Sequence, residues 1–147
     1  MKLEAVDTSL LVPYYCPEAL SQVAERTLRS DSRPTVSDLI EVECFSALVR
    51  KVRMKAMSAM DARRTGLQFV DHLQAGLYAR IAVERRHYDA ARGWLDRFSV
   101  PLRALDALHL AVADAEGLRL ATADRDLSRS ARRLGVAVTL FPERRVR

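Results

Sequence analysis

Hydrophobic positions in this chain follow two patterns: short apolar runs, and longer stretches in which apolar residues recur every three or four positions. The short runs predict β-strands at residues 3–6, 35–36, 77–83, 119–123 and 136–141. The longer stretches predict α-helices at residues 17–29, 37 or 38 to 51, 58 or 61 to 73, 84–98, 105–116 and 126–134. Because strands and helices alternate and several strands are almost entirely apolar, we expect an α/β fold with a parallel sheet covered by helices.

The bulk properties of the chain indicate one globular domain. Its 147 residues are enough for a single hydrophobic core, and no linker or low-complexity segment divides them. No run of about 18 apolar residues occurs, and Glu4 and Asp7 interrupt the N-terminal segment, so we expect neither a membrane span nor a signal peptide. Cys16 and Cys44 match no metal-binding pattern, which favours two reduced thiols in a cytoplasmic protein.

The net charge of +5 comes entirely from the C-terminal part of the chain. Residues 119–147 hold eight arginines and three acidic residues, whereas residues 1–118 hold 16 basic and 16 acidic residues. Such a basic segment suits a phosphate backbone or an acidic protein partner. A solvated, arginine-rich helix face with a frayed tail explains the same pattern, so charge alone does not choose between these interpretations.

Several carboxylates are predicted to lie at one edge of the sheet. Asp7 ends the first predicted strand, and Asp124 ends the strand at residues 119–123. The carboxyl ends of neighbouring parallel strands meet at the same edge, where α/β proteins place their sites. Thr122 shares a side of its strand with Asp124 because the two are two residues apart. Individually, these residues are also explained as turn residues or helix caps.

Two helices bring further acidic residues. Asp106 and His109 lie about 60° apart on one helix face, whereas Leu105, Leu108, Val112 and Ala115 form the predicted core stripe. Asp106 is also explained as a charge that complements the helix N-terminus. Glu41 and Glu43 lie about 200° apart on their helix, so they do not serve one site, and geometry alone leaves the choice between them open.

Taken together, the carboxylates predict a metal site. Acidic groups gathered at one edge repel one another and take up protons unless a divalent cation supplies positive charge. A site built only from carboxylate oxygens suits Mg²⁺ or Mn²⁺ better than zinc. Such ions activate water and stabilise charge on a phosphate during in-line displacement, so hydrolysis of a phosphodiester is the chemistry that fits best.

The motifs that carry these residues resemble those of PIN-domain ribonucleases, and more narrowly the VapC toxins of bacterial type II toxin–antitoxin systems. They are Val6-Asp7-Thr8-Ser9, Val42-Glu43-Cys44-Phe45-Ser46-Ala47-Leu48, Leu105-Asp106-Ala107-Leu108-His109-Leu110-Ala111 and Ala121-Thr122-Ala123-Asp124-Arg125-Asp126-Leu127. The resemblance spans residues 3–141. It implies a single PIN domain over residues 1–147, with a short basic tail at about 142–147. It also implies a three-layer α/β/α sandwich around a parallel sheet of about four or five strands.

The resemblance also implies roles for individual residues. Glu43 rather than Glu41 matches the family pattern, through the following Ala47-Leu48. The implied quartet that binds one or two Mg²⁺ or Mn²⁺ ions and catalyses RNA hydrolysis is Asp7, Glu43, Asp106 and Asp124. Thr8, Ser9 and Thr122 would support the quartet by hydrogen bonds, and Asp126 is a further candidate ligand. His109 belongs to the motif without an implied catalytic role, and a packed, hydrogen-bonded histidine is the favoured interpretation.

The same resemblance implies partners. Family members bind a cognate VapB-type antitoxin whose C-terminal segment covers the active-site groove, and they form homodimers that become heterotetramers or larger assemblies with the antitoxin. The groove would be lined by the helices at 17–29 and 37–51 and by the connector 52–60. Met54, Met57 and Met60 recur in that connector; core filling is the favoured interpretation, with a flexible binding surface as the alternative.

Three other functions compete with that of a nuclease. A response-regulator receiver needs a lysine on a late strand, but all three lysines occur by residue 55. A haloacid-dehalogenase phosphatase needs an aspartate where Ser9 stands. A non-catalytic RNA- or protein-binding module with structural carboxylates remains the alternative to a nuclease.

Overall fold

The computed structural model of the protein describes residues 4–30 and 33–141. The strands are β1 (Glu4–Val6), β2 (Thr35–Ser37), β3 (Ala79–Ile81), β4 (Arg119–Thr122) and β5 (Val138–Leu140). The helices are α1 (Thr8–Tyr15), α2 (Ser21–Ser30), α3 (Asp38–Arg53), α4 (Ala59–Gln74), α5 (Arg85–Leu95), α6 (Ala104–Ala115) and α7 (Arg125–Leu134). No helix in these two ranges is long and apolar enough to span a membrane.

The five strands form one parallel sheet in the order β3-β2-β1-β4-β5. The predicted α/β class and parallel sheet are therefore confirmed. Successive residues of a strand face opposite sides of the sheet. Accordingly Val6 and Ala121 pack into a core with helices α1 to α4, whereas Ala5 and Leu120 face a second core containing residues of α6 and α7. Helices thus cover both faces, which is the expected three-layer arrangement.

One helix was not predicted, and one was predicted to begin too early. Residues 7–9 were expected to form a polar turn, but Asp7 caps helix α1 and accepts a hydrogen bond from the Ser9 amide. Local propensity for this helix is low because it contains Pro13, and it is retained because Leu10 and Leu11 are completely buried. Helix α2 begins at Ser21 instead of residue 17.

Helix α6 is more deeply buried than its predicted apolar stripe suggested. Every residue from Ala107 to Ala113 is buried, which includes both the predicted core face and the His109 face. The two ends of the predicted stripe, Leu105 and Ala115, are exposed. The stripe prediction was therefore wrong at its ends, because α6 lies between the sheet and α5 and is covered on more than one side.

Candidate active site

Three strands end next to one another at the edge of the sheet that carries the candidate site. Val6 of β1 is aligned with Ala121 of β4, so Asp7 and Thr122 follow these paired positions. The Asp7 amide donates a hydrogen bond to the Ala121 carbonyl at 3.0 Å, which fixes the start of α1 against β4. Strand β2, on the other side of β1, runs directly into α3, the helix that carries Glu43.

The Asp7 carboxylate is held by hydroxyl groups from the first turn of α1 and from the end of β4. Its Oδ2 accepts hydrogen bonds from Ser9 Oγ at 2.6 Å and from Thr122 Oγ1 at 2.8 Å. Each hydroxyl has a single proton, and both protons are directed at this one oxygen. The other oxygen, Oδ1, has no hydrogen-bond partner within residues 4–30 and 33–141, although Asp7 is only 6% exposed. The network therefore leaves one oriented carboxylate oxygen free for a ligand.

Glu43 lies next to Asp7 and is held by residues from two other helices. Its Oε2 accepts hydrogen bonds from Thr8 Oγ1 and from His109 Nε2, both at 2.7 Å. One ligand atom from each of Asp7, Glu43 and His109 lies within 4.8 Å of the others. His109 is packed and hydrogen-bonded, as the sequence favoured, but its partner is a candidate metal ligand, which the sequence did not show.

Burial and pairing act in opposite directions on Glu43 and His109. Burial opposes ionisation of Glu43, but the hydrogen bond and charge of His109, together with the Thr8 hydroxyl, outweigh burial and hold its pKa below the usual value. Burial likewise opposes protonation of His109, but Glu43, followed by the charges of Asp7 and Asp106, raises its pKa. Both directions describe an imidazolium paired with a carboxylate.

Glu41 and Glu43 have separate roles, as their angular separation predicted. Glu41 turns away from the site and forms a two-point ion pair with Arg80 of β3, at 2.7 Å and 2.9 Å. Glu43 faces the β1 and α6 side. Only Glu43 is therefore available to the acidic cluster.

Asp106 is the least satisfied carboxylate of the set. It lies in the first turn of α6, is half-buried, and forms no hydrogen bond or ion pair with any residue that the structure describes. Burial raises its pKa, and the negative charges of Asp124 and Asp7 add to this effect, with His109 and Arg103 opposing it in part. Among the described residues, however, the cluster of ligand atoms that lie within 4.8 Å of one another contains Asp7, Glu43 and His109 and includes neither Asp106 nor Asp124.

One carboxylate oxygen of Asp124 caps a helix, and the other is free. Its Oδ1 caps helix α7 by accepting hydrogen bonds from the amides of Asp126 and Leu127, at 2.9 Å and 3.1 Å. Its second oxygen has no hydrogen-bond partner in the described part of the chain. The Asp126 side chain takes no part in this capping; it is 91% exposed and pairs with Arg129 at 3.3 Å. Asp126 thus lies further into solvent than the other carboxylates.

A pocket of about 630 Å³ opens beside the acidic residues. Its lining includes three aspartates and three arginines: Asp106, Asp124, Asp126, Arg103, Arg129 and Arg133. The C-terminal surplus of arginine is visible in the sequence, but the grouping of these three arginines around a pocket is not. The four-residue spacing of Arg129 and Arg133 on one helix face was the available signal.

We expect His109→Leu to destabilise the protein by roughly 2 kcal/mol, because a charge-assisted hydrogen bond is lost and Glu43 keeps only Thr8 as a partner. Chemical denaturation of this variant, Glu43→Gln and the double variant measures the effect. Since the two side chains share one interaction, the double variant should lose less stability than the sum of the single losses. Additive losses would show that the pair is not coupled.

Sequence comparison places the chain among known proteins. The family model of the PIN domain matches residues 5–133. The chain is 32% identical to ribonuclease VapC46 of Mycobacterium tuberculosis over 136 residues, which cover 90% of this chain and 93% of that protein.

Solved structures show the same fold. VapC20 of Mycobacterium tuberculosis, described as a sarcin–ricin loop cleaving toxin, superposes with a TM-score of 0.68 at 20% identity, covering 86% of this chain and 93% of its own. A toxin–antitoxin complex from Klebsiella pneumoniae matches with a TM-score of 0.68 at 15% identity, covering 96% and 99%. With the family model and the curated relative both covering most of its length, the chain belongs to the PIN-domain family.

Proposed function

We propose that this protein is a Mg²⁺- or Mn²⁺-dependent endoribonuclease and the toxin of a VapBC-type toxin–antitoxin pair. The observation that carries the proposal is the set of free carboxylate oxygens at the sheet edge. Asp7, Asp106 and Asp124 each present at least one oxygen that has no hydrogen-bond partner within the described residues. Membership of the PIN-domain family and the likeness to a ribonuclease support the same chemistry.

The donor set fits a hard divalent cation. Asp7, Glu43, Asp106 and Asp124 offer oxygen ligands, which Mg²⁺ and Mn²⁺ prefer. Asp106 is half-buried with a raised pKa and no paired cation among the described residues. A carboxylate in that state gains a counter-charge when a metal binds. Such an ion supplies charge neutralisation at the phosphate and lowers the pKa of an attacking water.

The remaining side chains hold the carboxylates in position. Ser9 and Thr122 fix the Asp7 carboxylate, and Thr8 with His109 fixes that of Glu43. Locked carboxylates lose little conformational entropy when they bind, which favours a defined ion position. We assign His109 to this positioning role, since its Nε2 is engaged by Glu43.

Cleavage of RNA is expected to stop in EDTA and to return when excess Mg²⁺ or Mn²⁺ is added, because without the ion the carboxylates repel the phosphate. Incubation of the purified protein with a labelled single-stranded RNA, followed by gel electrophoresis, tests this expectation. Cleavage that continues undiminished in EDTA would contradict metal dependence.

The proposed partners of the protein are a VapB-type antitoxin and a second copy of the chain. Exposed apolar side chains on α3 and α4 support this proposal; they include Val42, Phe45, Val49, Met60 and Leu67. Met54 is also 67% exposed, so core filling was the wrong interpretation for Met54 and Met60, whereas Met57 does pack against the core. Apolar patches of this kind are typical of protein interfaces. The proposed site of action is the cytoplasm, where such a toxin meets RNA and antitoxin.

A further inference from the structure

The pocket next to the acidic site is lined by both acidic and basic side chains. Asp106 and Asp124 of the proposed cleavage site line it together with Arg103, Arg129 and Arg133. We infer that these arginines bind the phosphate of the nucleotide next to the one that is cleaved, so that they position the RNA strand. This inference rests on the proposed ribonuclease function and deepens it.

The arginines are arranged as anion ligands. Arg133 is oriented by a hydrogen bond from Nη2 to the Ser99 carbonyl at 3.1 Å, which leaves the rest of its guanidinium unoccupied. Arg103 forms no hydrogen bond or ion pair with any residue in ranges 4–30 and 33–141. Arg129 pairs only with the exposed Asp126. Guanidinium groups bind phosphate through two parallel hydrogen bonds, so these side chains retain donors for a ligand.

A serine in the same pocket points to a polar ligand independently of charge. Ser130 lines the pocket and is only 5% exposed as a residue. Its hydroxyl makes no hydrogen bond within residues 4–30 and 33–141 and is not among the fully buried unpartnered atoms of these ranges, where Ser128 Oγ is the one found. Serine and threonine inside helices usually bond the carbonyl four residues earlier, as Thr27 does with Val23 at 2.8 Å. The Ser130 hydroxyl is therefore free to bond a phosphate or ribose oxygen.

The charge balance of the pocket favours RNA. Three arginines and three aspartates line the pocket and cancel one another. A divalent cation at the aspartates makes the pocket net positive, which matches a strand that places one phosphate at the cation and the next at the arginines. An acidic peptide is the other polyanion that arginines of this kind bind, and binding of poly-glutamate distinguishes it from RNA.

The test compares the double variant Arg103→Gln/Arg133→Gln with Arg63→Gln/Arg64→Gln, which removes the same charge from exposed positions on α4. Cleavage of a mixed-sequence single-stranded RNA is measured across a range of salt concentrations. For the pocket variant, we expect KM to rise about tenfold with kcat nearly unchanged. The slope of log KM against the logarithm of the salt concentration should decrease by about 1.4, because two phosphate contacts are lost. The α4 variant should behave like the wild type.

Ser130→Ala is the second probe, since alanine is accommodated in the same helix and removes only the hydroxyl. It should raise KM a fewfold and leave the melting temperature unchanged or higher. If the wild-type protein cleaves RNA while the pocket variant behaves like the α4 control, the phosphate site is wrong and the ribonuclease proposal stands. If the pocket variant loses affinity for poly-glutamate with an unchanged KM for RNA, the arginines bind an acidic protein and the inference is overturned. Absence of cleavage by the wild type would overturn both proposals.

Discussion

Asp7→Asn is expected to lower the rate of RNA cleavage by about a thousandfold or more, because loss of one charged ligand removes several kcal/mol of transition-state stabilisation. The substitution preserves the fold: asparagine is as good a helix N-cap as aspartate, and its oxygen still accepts hydrogen bonds from Ser9 and Thr122. The initial rate of cleavage in Mg²⁺ should therefore fall, whereas the melting temperature should stay the same.

Expression in a bacterium extends the Asp7 test to the toxin function. The wild-type chain should arrest growth, and Asp7→Asn should relieve the arrest at an equal protein level. Asp71→Asn is the matched control, since it removes the same charge from an exposed position on α4. If Asp7→Asn arrests growth as strongly as the wild type, this result would contradict the metal-nuclease proposal and favour a module that acts by binding alone.

Asp106→Asn is expected to have opposite effects on stability and on activity. In metal-free protein, the variant should unfold at a higher temperature, because burial and the charges of Asp124 and Asp7 disfavour the Asp106 carboxylate. Its pKa is raised on folding, so the destabilisation is present in full above the folded pKa and disappears as the pH falls below the unfolded value of 3.8. RNA cleavage should decrease on the order of a hundredfold or more, about 2.7 kcal/mol.

In Mg²⁺, the wild type should become more stable than the Asp106→Asn variant, the reverse of the order in metal-free protein. A ligand that binds only the folded state stabilises it in proportion to its affinity, and the wild type should bind the ion more tightly. Asp61→Asn is the control because Asp61 occupies the equivalent first-turn position of α4 but is exposed. That variant should lose about 0.5 kcal/mol, since a solvated aspartate there stabilises the helix dipole. An Asp106→Asn variant less stable than the wild type in EDTA would contradict this account.

The placement of Asp7 and Asp124 was predictable because it follows from local patterns. Apolar runs mark the strands, and the residue after each run lies at the carboxyl edge of a parallel sheet. The helical angle also separated Glu41 from Glu43 correctly, since 100° per residue holds for any α-helix. The Glu41–Arg80 pair and the Glu43–His109 pair reflect that separation.

Helix α1 shows where local patterns failed. Pro13 argues against a helix, and Pro17 resembles a helix start, so the sequence favoured a turn followed by a helix from residue 17. The structure forms α1 because burying Leu10 and Leu11 against the sheet outweighs weak propensity. Whether burial outweighs helix propensity depends on which surface covers the segment, and only the assembled core determines that surface.

The sequence alone determined the alternation of strands and helices, the sheet class and the acidic residues at the strand ends, because each depends on spacing along a few turns of chain. The tertiary structure alone decided which side chains meet. Thr122 reaches Asp7 from 115 positions away, and His109 reaches Glu43 from 66. Contacts over such separations depend on how the strands are ordered in the sheet. That order is set by the total burial of the chain, which no local pattern records.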